Sequence, residues 1–332
     1  MLTTIAAGRT FDFSHCYGMY SMGGLGFWDP VDFAIGSSGM LYVVNRGAEE
    51  LGQRISKSNT DHEFVTQFGT PGQGDGQLVW PYSIDLDKDE NVYVSDEFLQ
   101  RISIFDKDGK YLGKWGAPGN DPGQLNGPSG IAFDSNDDLY VVDSSNNRVQ
   151  KFKKDGTFLL SWGVQGDGVG EFDRPWGICI DNDDDVYIAD WKNSRIQKFS
   201  SNGVFLMEIG GPRNIVGALD RPSSVAVDQE GDIYVTDWGT NLLNVYASSG
   251  DFITSLVGDA QTPSPWAQTY FDANPEILKA RRRVSLEEEW RFTRPIAVNV
   301  DANNYIYVAE SVRHRIQVYK KELEYEEASI NL

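Results

Sequence analysis

One repeated phrase governs what this chain can fold into. It is clearest where Pro128-Ser-Gly-Ile-Ala-Phe-Asp134 leads to Leu139-Tyr-Val-Val-Asp143, then to Arg148-Val-Gln-Lys-Phe152, then past Gly156 to Trp162-Gly163. Pro30, Pro81, Pro128, Pro175, Pro222 and Pro295 open successive copies, spaced by 51, 47, 47, 47 and 73 residues. Tyr42, Tyr93, Tyr140, Tyr187, Tyr234 and Tyr307 repeat those spacings. Each copy holds four short runs rich in β-branched and aromatic residues, divided by Asp, Asn and Gly turns, which is the pattern of a four-stranded antiparallel sheet.

Such a sheet buries both faces only between neighbours, and six arranged radially supply a neighbour for each. The expected fold is an all-β, six-bladed β-propeller forming one domain over 1–332, with blades opening near residues 30, 81, 128, 175, 222 and 295. The sixth copy stops after Arg315-Ile-Gln-Val-Tyr319, so its outermost strand is missing. Residues 2–8 resemble the outer run Ile253-Thr-Ser-Leu-Val-Gly258 and are expected to complete that blade. The surplus in the last spacing, 73 − 47 = 26 residues, falls within 261–293. There Asn274-Pro275-Glu276 and Ser285-x-x-Glu288 read as helix starts, giving a helical insertion expected to be a lid or partner surface at the mouth.

The runs Gly-Ile-Ala-x-Asp, x-Tyr-Val-x-Asp and Asn-x-Arg-[Ile/Val]-Gln-x-Phe resemble the NHL-repeat β-propellers, and more distantly the amidating-lyase and gluconolactonase-type propellers. The likeness is best at Asn146-Asn147-Arg148 and Asn193-Ser194-Arg195. That family includes scaffolds, RNA binders and lyases, so the resemblance implies a fold and leaves the function open. With 49 Asp plus Glu against 29 Lys plus Arg, the net charge of −20 disfavours nucleic acid and anionic membrane surfaces as partners. Residues 1–9 lack a charged leader followed by an apolar run, and Cys16 and Cys179 lack metal-type spacing, so a cytoplasmic, reducing setting is expected.

If strands a to d of each blade run outward from the axis, the b–c turns and the linkers into the next blade share one rim. Arg46, Tyr82, Arg174, Trp176, Trp191, Arg221, Trp238 and Arg294 fall there. Guanidinium groups mixed with aromatic rings suit a planar or carboxylate-bearing small molecule; equally, they can seal the blade tops. The acid after each Tyr-Val is expected to pair with the Arg opening strand c: Asp96 with Arg101, Asp143 with Arg148, Asp190 with Arg195, Glu310 with Arg315. Asp237 faces Leu242 instead, which makes it a candidate ligand or catalytic group. His314 with Glu310 is a candidate acid–base pair, the other reading being a surface turn residue. His15 is placed with His314 at the mouth and His62 on the far side. This set cannot supply the three-His zinc site that the amidating lyases imply.

Asp32, Asp85 and Asn299 interrupt a column of small residues on the innermost strands. They could hold a divalent cation, calcium first among them, or simply line a wet channel. No nucleotide or organic cofactor is indicated. Two functional readings stand. In one, the mouth binds a small polar or aromatic anion, and in its stronger form transforms it as a metal-assisted lyase or lactone hydrolase. In the other, the propeller is a non-catalytic protein-interaction scaffold.

Overall fold

The computed structural model describes residues 3–48, 51–210 and 215–323. Six antiparallel sheets surround a central channel, and the innermost strands Pro30–Ile35, Pro81–Leu86, Pro128–Phe133, Pro175–Ile180, Pro222–Val227 and Pro295–Val300 form its wall. Blade three is the simplest, with strands Pro128–Phe133, Asp138–Asp143, Arg148–Lys153 and Phe158–Trp162 paired in that order. Proline opens every inner strand because its missing N–H costs nothing at a first strand position. Between blades the residues alternate inward on both faces, so that Leu139, Val141 and Phe152 fill one interface and Tyr140, Val142 and Val149 the next.

A second set of contacts, repeated around the ring, fixes the linkers. In every blade the residue ending strand b is fully buried and accepts an N–H from the linker 17 residues earlier: Asn45 from Trp28, Asp96 from Val79, Asp143 from Asn126, Asp190 from Asp173, Asp237 from Asp220 and Glu310 from Thr293. The Arg that opens strand c then reaches over the linker carbonyls. Arg148, for example, donates to Asn120, Asp121 and Gln124 oxygens while its Nε meets Asp143 at 2.8 Å. The expected ion pairs form for Asp143, Asp190 and Glu310. Asp96 does not pair with Arg101. Leu99 stands where blades three and four have Asn146 and Asn193, so the Asp96 carboxylate turns to the Phe98 and Leu99 N–H groups instead.

The N-terminal segment does close the last blade, but one strand further along the chain than expected. Arg9–Tyr17 takes the fourth place, pairing with Arg315–Leu323, and Thr3–Ala6 folds back on it as a fifth strand through a turn at Ala7-Gly8. Leu2 lies outside the described residues. Thr10, Phe11, Phe13, Cys16 and Tyr17 are the residues this strand buries, with a bulge between Phe13 and His15 that shifts their alternation.

The insertion folds into three short helices, Pro265–Asp272, Pro275–Arg281 and Glu287–Trp290. The first is unforeseen, although Ser264 caps it through the Ala267 N–H with Pro265 in the first turn. The second begins at Pro275 as expected; the third begins beyond Leu286, with Ser285 only receiving the Glu287 N–H. The insertion lies along the seam between blades six and one. Ser264 donates to the Gly18 carbonyl, Trp266 Nε1 donates to the His62 carbonyl at 2.6 Å, and Trp266 packs on Phe27.

Candidate functional site at the channel mouth

Two positions per blade build the mouth. The residue after each opening proline contributes Val31, Tyr82, Ser129, Trp176 and Ile296, and the residue after each buried turn acid, or Asn45 in blade one, contributes Arg46, Glu97, Ser144 and Trp191. With Arg174 and Lys192 they surround a cavity of about 350 Å³. None of residues 261–293 lines it.

The aromatic groups form a continuous arc. Tyr82 meets Trp176 at 5.9 Å, Trp176 stacks on Trp191 at 4.5 Å and 18°, and Trp191 meets Trp238 edge-on at 6.3 Å. Guanidinium groups lie over its faces: Arg46 on Tyr82 at 5.2 Å, Arg221 on Trp191 at 5.6 Å and on Trp238 at 5.8 Å, Arg294 on Trp238 at 4.9 Å. All eight residues proposed for ligand contact thus fall in one arc or its cavity. Three of the arginines are held there by a backbone device. Arg174, Arg221 and Arg294 precede a proline in the left-handed conformation, and the N–H of each is received by the left-handed residue of the preceding blade's b–c turn, Asn147, Ser194 and Asn241.

His314 belongs to that same device. It is the left-handed turn residue of blade six, and its Nδ1 accepts the Asp29 N–H at 3.1 Å. Glu310 is buried behind it, receiving Arg315 Nε at 2.6 Å, Gln317 Nε2 and the Thr293 N–H. The structure therefore does not bring His314 and Glu310 together as a proton-transfer pair. His15 also departs from expectation, since its ring sits 5.3 Å from that of His62 beside Tyr17, on the flank of the seam. Asp237 keeps its Asp220 N–H, but its Oδ1 meets no donor at hydrogen-bonding geometry. Burial without an Arg partner pushes its carboxyl up to about 6.

Asp32, Asp85 and Asn299 all reach the channel, a cavity of about 190 Å³. Each carboxylate is spent on neighbouring donors. Asp32 accepts from Ser83 Oγ, the Ile84 N–H and the Phe33 N–H; Asp85 accepts from the Leu86 N–H and, across the interface, from the Phe133 N–H at 2.7 Å. Burial raises Asp32 to about 6 and Asp85 to about 7. Among the described residues no three His, Cys, Asp or Glu side chains gather as a metal site would require. Asn299 adds the only further oxygen donor of the three, and its Oδ1 accepts the Val300 N–H. The two acids act as bolts between inner strands.

Glu97 and Lys192 are mouth groups that sequence reasoning passed over. The column after the turn acid would have found Glu97, since Arg46, Trp191 and Trp238 occupy the same column.

The family model for the NHL repeat matches residues 125–152, 172–199 and 219–246, in each case the end of the incoming linker and strands a to c of blades three, four and five. Those three segments match the NHL repeat. No curated relative matches the sequence. Among solved structures, a protein of unknown function from Bacteroides thetaiotaomicron aligns with TM-score 0.64 and 17% identity over 95% of this chain and 76% of its own. A catalytically inactive virginiamycin B lyase from Staphylococcus aureus with quinupristin aligns with TM-score 0.60 and 16% identity over 93% of this chain and 99% of its own. A streptogramin B lyase aligns with TM-score 0.57 and 16% identity over 88% and 78%. At such identities this chain shares their fold, and nothing finer follows. No helix is long and apolar enough to cross a membrane among the described residues.

Proposed function

We propose that the channel mouth binds a small planar anion, an aromatic carboxylate being the simplest example. The observation that carries this reading is the stacked Trp176–Trp191 pair beside Arg174. Among the described residues, Arg174 and Arg294 have no carboxylate within ion-pairing distance, in a chain whose net charge is −20. An acidic protein that leaves guanidinium groups uncompensated around half-buried ring faces is arranged to receive negative charge on a flat body. Glu97, 3.7 Å from Arg46, is the mouth carboxylate, so a turnover that removes a proton from the bound molecule would draw on it. The lyases aligned above lend that reaction class to the proposal as an analogy of fold.

Titration with benzoate and with its neutral counterpart benzamide tests the reading, followed by tryptophan fluorescence and calorimetry. Benzoate is expected to bind at least ten times more tightly than benzamide. Arg174→Ala should erase that preference, and Trp191→Ala should weaken both ligands about tenfold. Equal binding of the two probes in the parent protein would overturn the proposal.

A further inference from the structure

A second cavity, of about 600 Å³, lies between the helical insertion and the seam of blades six and one. It shares no residue with the mouth cavity. The repeat does not require the insertion for ring closure, and this cavity is what the 26 surplus residues create. One wall is helix, through Ala267, Tyr270 and Phe271; the other is the chain entering blade one, through Met19 and Tyr20. Cys16 adds to the apolar floor, its thiol kept neutral because burial pushes it up to about 12.

Three charged residues, Glu289, Arg313 and Arg315, line this cavity, and their partners decide its sign. Arg315 is neutralised by Glu310 at 2.6 Å, and Glu289 by Arg281 at 2.7 Å. Arg313 remains. Its Nε meets Thr293 Oγ1 at 3.3 Å and its Nη2 the Glu288 carbonyl at 3.0 Å, while its Nη1 has no acceptor and the residue no carboxylate partner among the described residues. A largely apolar cavity with one uncompensated guanidinium in its lining complements a single carboxylate on an apolar body.

We infer that this cavity is a binding site for a monocarboxylate with an aliphatic tail, held by Arg313 at its head and by the insertion along its length. The site is independent of the mouth, and so is its test. Octanoate, octan-1-ol and octyltrimethylammonium are titrated into the full-length protein by calorimetry, with the Met19 methyl resonance followed in the parent protein. Octanoate should bind best and the cation worst, with the Met19 methyl shifting at the same midpoint. Arg313→Gln should weaken octanoate at least tenfold and abolish its advantage over the alcohol. Ala267→Trp, which fills the chamber, should remove both, whereas Trp191→Ala at the mouth should leave octanoate untouched. An unmoved Met19 methyl, octanoate binding indifferent to Arg313→Gln, or its loss in Trp191→Ala would each overturn the inference. Because the methyl is read in the parent protein, a variant that fails to fold does not spare the proposal.

Discussion

At the scale of single residues, the buried acids carry two different burdens. Asp143 has its charge met by Arg148, Asn146, Gln150 and the Asn126 N–H. Asp143→Ala leaves Arg148 uncompensated beneath a linker, a loss of about 3–5 kcal/mol that chemical denaturation would register. Asp85 has only backbone donors, and its folded-state value near 7 lies above the ordinary aspartate range. The folded protein therefore holds a proton there that the unfolded chain has released, and stability falls as pH rises from about 4 to about 7. Denaturation of the parent and of Asp85→Asn across pH 4–9 should show the parent losing ground to the variant through that window, by up to about 1.4 kcal/mol per pH unit, and a constant difference above it. His15, whose burial lowers it to about 4, changes stability in the opposite sense but equally in both proteins. Of these roles, the turn acids were legible in the sequence because position fixes them. Asp32 and Asp85 were legible as intruders in a small-residue column, but not as inter-blade acceptors, since their partners Ser83 and Phe133 belong to a register that only the assembled ring sets.

Elements show where periodic reasoning holds and where it fails. The inner three strands of every blade follow from the repeat, which states their spacing six times. Arg9–Tyr17 escaped because Thr10, Asp12 and Ser14 dilute its apolar residues and the bulge at Phe13 breaks the two-residue alternation. The insertion has no second copy to compare with, and its docking depends on Trp266 meeting a carbonyl more than 200 positions away. Trp266→Ala removes a side chain 8% exposed together with that hydrogen bond, so a loss of about 3–5 kcal/mol is expected. Hydrogen exchange should quicken across 264–290 while blade three keeps its protection; uniform quickening would mean that the insertion and the ring unfold as one unit.

For the whole molecule, closure rests on Arg9–Tyr17 meeting Arg315–Leu323. Removing residues 1–8 takes away the fifth strand only and should leave a folded monomer by size-exclusion chromatography and circular dichroism. Removing residues 1–17 strips the last blade of its fourth strand and exposes its edge, so an aggregated or unfolded product is expected. The mouth depends on the same closure, because Val31 and Ile296 stand on either side of the join. That join pairs Cys16 with Gln317, positions about 300 residues apart. During synthesis Arg9–Tyr17 must then wait roughly 15–60 s for its partner at ordinary elongation rates. Until then the growing row of up to five blades stands as an open crescent with an unpaired end, in need of shelter that the finished ring no longer requires.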